Sequence, residues 1–131
     1  MRDGSHLDGA QHRLTEQAAL QDVLERAHRL SARYLGGKAT PASVRWVDNQ
    51  ESRWGSCTPI DRTIRLSRRL TTMPSWVLDY VLLHELAHLV EPGHGPAFRA
   101  LMASYPKLER AEGYLEAADA LARETPACDA L

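Results

Sequence analysis

The chain has 131 residues, enough for one domain with a buried core. It is 44% hydrophobic and 25% charged, as soluble globular proteins are, and its formal net charge of -1 indicates neither a nucleic-acid nor a membrane partner. The most apolar stretch, residues 76–90, is interrupted by ionisable residues and is too short to span a bilayer. Cys57 and Cys128 form no disulfide pattern, so we expect a cytoplasmic protein with reduced thiols.

The first half of the chain is predicted to contain one helix and three strands. Residues 1–13 are polar, and we expect a loose tail there. Residues 14–35 carry apolar side chains at three- and four-residue steps, which predicts a helix ended by Gly36-Gly37. Residues 44–47 and 53–57 are predicted strands, and residues 63–67 alternate clearly, with Ile64 and Leu66 facing the core.

The second half is predicted to be helical. A helix should begin near Pro74, run to about Val90 and end where Pro92-Gly93 interrupts it. Further helices are expected over residues 96–104 and 108–123, with a tail over 125–131. This order predicts a single α+β domain spanning residues 14–124.

Three histidines form the most specific pattern in the chain. His84 and His88 are four residues apart, so on a helix their rings leave the same face and can meet one metal ion. Two imidazoles hold zinc poorly, and His94, placed after the Pro92-Gly93 break, is the candidate third ligand. We expect one zinc ion per chain.

Glu85 follows the first of these histidines and projects about 100° round the helix from it. It can therefore sit beside a metal without binding it. Zinc lowers the pKa of its bound water, and a nearby carboxylate can act as general base. The pattern predicts hydrolysis by a zinc-activated water, with Glu85 as the catalytic base.

At this point the residues resemble a known family. The segment Arg53-Trp54-Gly55-Ser56-Cys57, then Ile64-Arg65-Leu66, then the His84–His88 helix followed by His94 and Phe98, is similar to the bacterial YgjP-like metallopeptidase domain, a zincin relative of SprT-like and WLM proteases. Ser67, Gly93 and Arg99 depart from the usual family residues.

The resemblance implies a zincin-like fold with a small, mostly antiparallel sheet packed on the metal-bearing helix. It implies His84, His88 and His94 as zinc ligands, Glu85 as base, and a peptide or protein substrate. It also implies that residues 64–67 form the edge strand nearest the cleft, along which an extended peptide would lie. The substrate-binding candidates are therefore Ile64, Arg65, Leu66 and Ser67, together with Arg53.

For several side chains the sequence is compatible with two different roles. Arg53 either stabilises an oxyanion or pairs with a surface acid. The basic run Arg62, Arg65, Arg68 and Arg69 is either a solvated face or a path for nucleic acid or an acidic substrate. Tyr80 and Cys57 either approach the metal or pack as ordinary helix and core residues. The carboxylates that could orient the metal ligands are those of Asp79, Glu91, Glu109, Glu112 and Glu116.

Three functions are compatible with this pattern. The first is a zinc metallopeptidase. The second is a metal-dependent phosphohydrolase that acts on nucleotides, with the basic run holding phosphates. The third is a zinc-stabilised binding module without turnover, with nucleic acid as a candidate partner. The presence of Glu85 favours the enzymes, because a structural zinc site has no use for it. The oligomeric state is not predicted.

Overall fold

The computed structural model describes residues 9–48 and 53–129, with side chains for 22–48 and 53–123. In these residues one α-helix precedes a small sheet and three α-helices follow it. In chain order the elements are α1 (Gly9–Tyr34), β1 (Ser43–Val47), β2 (Gly55–Thr58), β3 (Thr63–Ser67), α2 (Ser75–Val90), α3 (Pro96–Met102) and α4 (Leu108–Asp129). A 3-10 helix, Arg68–Thr72, joins β3 to α2. The predicted α+β class is confirmed.

The three strands form one mixed sheet in the order β1-β3-β2. β1 runs parallel to β3, with Val44 opposite Ile64, and β2 runs antiparallel to β3, with Cys57 opposite Ile64. The expectation of an edge position for residues 64–67 is therefore wrong. The β2–β3 hairpin brings β3 back between the other two strands, so both of its hydrogen-bonding edges are occupied.

Helix α2 lies at the centre of the packing and contacts β2, β3, α1, α3 and α4. It is buried along Val77, Val81, Leu82, Leu83 and Leu86 because it is covered on several sides. Ile64 and Leu66, which were predicted to face the core, are fully buried. A helix that is covered in this way holds any side chain it carries in a fixed position.

The ends of the domain differ from the prediction. Helix α1 begins at Gly9, so residues 9–13 are helical rather than loose, and residues 1–8 lie outside the described part of the chain. Helix α4 continues to Asp129, so most of the predicted C-terminal tail is also helical, and residues 130–131 lie outside the description. Within the described residues, no helix is long and apolar enough to cross a membrane.

A candidate metal centre at the junction of three clefts

The three predicted histidines come together at the C-terminal half of α2. His84 and His88 leave adjacent turns of this helix, and their ring centroids are 4.8 Å apart. The chain then leaves the helix at Glu91, and His94 returns over the same face just before α3. One candidate ligand atom from each ring lies within 4.8 Å of the other two. The structure therefore forms a group of three imidazoles on one side of the helix.

The orientation of His88 is set by the end of its own helix. Its Nδ1 lies 3.2 Å from the main-chain carbonyl oxygen of Glu91, a carbonyl that has no partner within the helix. An Nδ1–H that donates to this oxygen leaves Nε2 with a free lone pair. That Nε2 lies 3.0 Å from Nε2 of His94. The predicted contribution of Glu91 is thus made by its backbone carbonyl.

Phe98 supports all three rings. It is buried, stacks on His88 at 4.3 Å between ring centroids, and meets His84 and His94 edge-on at 5.0 Å each. It comes from the first turn of α3, four residues after His94. In the sequence Phe98 was only part of the family resemblance. No local spacing indicates its place beneath the histidine group, because His94 lies before the start of α3.

The chemistry of this group suits a divalent ion. Burial lowers the pKa of His84 to about 4, helped by the neighbouring histidines, and burial also lowers the pKa of His88. Both rings are therefore neutral near pH 7, the form that binds metals. In a tetrahedral zinc site, ligand nitrogens lie roughly 3.3 Å apart, and the 3.0 Å separation of the His88 and His94 Nε2 atoms is close to that value.

Glu85 carries the one buried carboxylate among the described residues. The residue as a whole is only 7% exposed. Burial raises its pKa to about 7, while a hydrogen bond from the Cys57 thiol and the charges of Arg53 and Arg65 act in the opposite direction. Its carboxyl group faces β2 and lines the clefts on either side of that strand. A carboxylate with a pKa near neutrality is suited to proton transfer.

Cys57 is a thiol rather than a thiolate at neutral pH. Burial, followed by the charge of Glu85 and the hydrogen bond to it, raises its pKa to about 11. The thiol is half-buried and unbridged. Its interaction with Glu85 places it near the general-base candidate, and it is not part of the histidine group.

Gly55 allows β2 to approach α2 closely. A Cβ atom there would lie 3.0 Å from Val81 Cγ1, 3.2 Å from Glu85 Cγ and 3.3 Å from the carbonyl oxygen of Arg65. Such distances are too short for a side chain without movement of its neighbours. The glycine of the Trp54-Gly55-Ser56 segment thus keeps the strand against the turn of α2 that carries Glu85.

Three of the predicted substrate-binding side chains do not line the clefts at the histidine group. Ile64 and Leu66 are fully buried against the core, and Ser67 is 1% exposed. The hydroxyl of Ser67 accepts a hydrogen bond from Arg69 N and caps the 3-10 helix. These three side chains were assigned to the cleft because β3 was placed at the edge of the sheet. The strand beside the histidine group is β2.

The two arginines among those candidates have different surroundings. Arg65 spans the hairpin and donates from Nε to Ser56 Oγ at 3.0 Å and from a terminal nitrogen to Thr58 Oγ1 at 2.9 Å. These bonds tie Arg65 to β2, and a contact with substrate stays a prediction. Arg53 is exposed and lines the clefts on both sides of Gly55, where its charge acts on Glu85.

The remaining arginines of the basic run have intramolecular partners. Arg62 donates to the main-chain oxygen and the hydroxyl of Thr40, Arg68 pairs with Asp48 at 2.8 Å, and the guanidinium of Arg69 lies 4.0 Å from the ring centroid of Trp54. The run is therefore spread over the hairpin and the 3-10 helix. A nucleic-acid path along it stays a prediction.

The structure shows side-chain partners for two of the carboxylates that were predicted to orient the metal ligands. Asp79 pairs with Arg26 of α1, on the side of α2 away from the histidines. Glu112 accepts a hydrogen bond from the hydroxyl of Tyr80 at 3.3 Å. Glu109, Glu112 and Glu116 line clefts that reach His84. The described structure gives none of the five a side-chain hydrogen bond to a histidine of the group.

Three clefts meet at His84. One of about 570 Å³ runs between α4 and the pair formed by β2 and α2. A second, of about 400 Å³, follows β2 past Cys57 towards Pro59, and a third, of about 390 Å³, passes His94 and Phe98 towards α4. Such a junction gives an extended polymer a path across the histidine group with room for side chains on both sides.

Comparison with known proteins agrees with this geometry. The family model of the YgjP-like metallopeptidase domain matches residues 3–118 of the chain, which confirms the resemblance. Among solved structures, the chain is similar to the crystal structure of the metallopeptidase zymogen of Pyrococcus abyssi abylysin. The two share 24% sequence identity and a TM-score of 0.58 over 73% of this chain and 90% of the abylysin chain, which shows a common fold. No curated protein matches the chain.

Proposed function

This chain belongs to the YgjP-like metallopeptidase domain family, and from that premise and the geometry of its site we propose that it is a zinc-dependent peptidase. The single observation that carries the proposal is the convergence of His84, His88 and His94 beside the buried carboxylate of Glu85. A hydrolase of this kind needs a metal with an open position and a base close by.

The three histidines would hold the metal. Neutral imidazoles in this number suit zinc, which when bound would lower the pKa of a coordinated water and polarise a substrate carbonyl. His88 is already oriented for this role by the Glu91 carbonyl, and Phe98 keeps the rings in place. Little reorganisation of the protein is then needed when the ion enters.

Glu85 would act as the general base. Its raised pKa lets it accept a proton from the attacking water and then deliver that proton to the leaving amine. Arg53, whose charge already acts on Glu85, would stabilise the negative charge that develops on the substrate oxygen. The Cys57 thiol, whose pKa responds to the charge of Glu85, would help to hold this carboxylate in position.

The exposed edge of β2 would bind the substrate backbone. Ser67 N donates to Trp54 O at 2.9 Å, so Trp54 and Ser67 form a hydrogen-bonded pair of the antiparallel ladder. The pattern alternates, and Gly55 and Cys57 therefore direct their N–H and C=O groups away from β3. A peptide added along this edge would run past Glu85 and His84. This assigns to β2 the role that the sequence had suggested for β3.

The test is the variant Glu85→Gln, which keeps the shape of the side chain and removes its basicity. We expect it to retain about one zinc per chain and to lose roughly 100-fold or more of its hydrolysis of a peptide library. Glu25→Gln, an exposed change on α1, is the matched control and should behave as the wild type. Equal hydrolysis by the wild type and Glu85→Gln would refute the assigned role.

The same experiment distinguishes a peptidase from the alternative function, a phosphohydrolase that acts on nucleotides. Nucleoside triphosphates would be offered to the zinc-loaded wild type alongside the peptides. Release of phosphate without peptide hydrolysis would replace the peptidase assignment. No observation on the described residues favours that outcome, since the arginines that would hold phosphates are engaged elsewhere.

A further inference from the structure

One of the three clefts extends from the proposed catalytic residues along α4. It has a volume of about 570 Å³, and His84 and Glu85 form its inner end. Trp54 and Tyr80 lie on one side and helix α4 on the other. The cleft is therefore placed to receive the side chain of a substrate residue close to the scissile bond.

The floor of this cleft is apolar. Val81 of α2 and Leu115 of α4 are both buried and line it, and the ring of Trp54 forms one wall. Arg69 covers this indole by stacking on it at 4.0 Å. These groups would pack against an aliphatic stem several carbons long.

The rim of the cleft carries carboxylates from one face of α4. Glu112, Glu116 and Asp119 are spaced by four and three residues, so they lie on the same side of the helix as Leu115. Like charges at this spacing on a helix repel one another. No salt bridge of the described side chains includes any of the three. A cation entering the cleft would relieve this repulsion.

Two hydrogen bonds hold the outer members of this group in place across the cleft. Tyr80 donates from its hydroxyl to Glu112 at 3.3 Å, and Trp54 donates from Nε1 to Asp119 at 3.3 Å. Burial and the charge of Glu112 raise the pKa of Tyr80, so it remains a donor. Each bond occupies one acceptor position of a carboxylate that has about four. The remaining positions are free to accept from a ligand.

We propose that this cleft is the specificity subsite of the peptidase and that it binds a lysine or arginine side chain next to the scissile bond. The stem would lie on Val81, Leu115 and Trp54, and the charged head would reach Glu116 between the two held carboxylates. The inference rests on the proposed peptidase function and adds to it a class of substrate. Arg53 also lines the cleft, and its charge acts on Glu85. It would exclude a cation from the reacting atoms and direct it towards α4.

Matched peptides would test the subsite. Sets identical except for lysine, norleucine or glutamate on either side of the cleaved bond separate charge from stem length. We expect kcat/KM for the lysine peptide to exceed that for norleucine about tenfold, with glutamate lowest. Glu116→Gln should reduce the lysine-to-norleucine ratio severalfold, and Glu116→Lys should shift the preference towards glutamate. Glu25→Gln is the control and should keep the wild-type ratio.

A binding measurement tests the specificity subsite separately from the proposed peptidase activity. Zinc-loaded Glu85→Gln, which does not turn over, would be titrated with the same three peptides. Absence of hydrolysis by the wild type would overturn the peptidase assignment, whereas the binding preference still decides the subsite. Equal affinity for lysine and norleucine peptides, or a ratio that Glu116→Gln leaves unchanged, would overturn the subsite alone.

Discussion

The Nε2 atom of His88 lies 3.0 Å from Nε2 of His94, although one belongs to α2 and the other to the segment that follows the end of that helix. Two ring nitrogens at this distance can share a hydrogen bond, and they are also close enough to bind one metal ion together. We therefore expect zinc to stabilise the folded chain. At a free zinc concentration 1,000 times the Kd the gain is about 4 kcal/mol. Thermal unfolding with zinc and with a chelator measures this gain.

The control for zinc binding is His28→Ala. His28 is exposed on α1 and is not part of the histidine group, so this variant should respond to zinc as the wild type does. His88→Ala should lose the response. A zinc-induced rise in Tm that is the same in His88→Ala and the wild type would show that the ion binds elsewhere.

Gly55→Ala should loosen the contact between β2 and α2. The new methyl group would lie 3.0 Å from Val81 Cγ1 and 3.3 Å from a backbone oxygen, so the strand must move. We expect a loss of about 1–3 kcal/mol in the free energy of unfolding and reduced hydrolysis. Gly113→Ala in α4 meets nothing within 4 Å and should add about 0.5–1 kcal/mol. Equal effects of the two changes in chemical denaturation would contradict this account.

Asp79→Asn should destabilise the protein without affecting the metal. Asp79 and Arg26 form an ion pair between α2 and α1 in which both side chains are largely buried, at 21% and 27% exposure. Removing the charge leaves the guanidinium partly buried without its counter-ion, at a cost of about 1–2 kcal/mol. Asp48→Asn breaks the exposed pair with Arg68 and should cost about 0.5 kcal/mol or less. If Asp79→Asn lowered the affinity for zinc, Asp79 would again be a candidate for orienting the metal ligands.

The raised pKa of Glu85 predicts how the stability of the metal-free protein depends on pH. The folded-state pKa is about 7, above the ordinary value of 4.5. Below pH 4.5 the carboxyl group is protonated in both states. As the pH rises to about 7, the unfolded chain releases this proton while the folded chain keeps it, so stability falls over this window.

Glu85→Gln has no such titration and supplies the reference. Urea unfolding in the presence of a chelator at pH 5 and at pH 7.5 would show the wild type losing stability relative to the variant. Titration of His84 and other groups is common to both proteins and cancels in the difference. A difference between wild type and variant that is the same at both pH values would mean that Glu85 ionises normally.

The sequence predicted those parts of the site that depend on local geometry. The four-residue step from His84 to His88 fixes the face of a helix, and the break at Pro92-Gly93 permits the chain to return with His94. The alternation over residues 63–67 correctly predicted both the bounds of β3 and the inward face of Ile64 and Leu66. Each of these inferences needs only the period of one element.

The relationships that the sequence did not predict are between distant elements. Alternation shows which face of a strand is buried but not which strands flank it, so β3 was placed at an edge although β1 and β2 enclose it. The hydrogen bond between Trp54 and Asp119 joins residues 65 positions apart, and no local pattern indicates it. The acidic cleft depends on this contact between the residue before β2 and α4, so it is visible only in the folded chain.

The central claim is that His84, His88 and His94 together hold one zinc ion for peptide hydrolysis. The most direct test is metal analysis of the purified wild type beside His94→Ala, since His94 is the exposed ligand and its removal leaves the helix pair intact. We predict about one zinc per chain in the wild type and much less in the variant after dialysis. A full zinc load in His94→Ala would contradict the assignment of the third ligand and the site built on it.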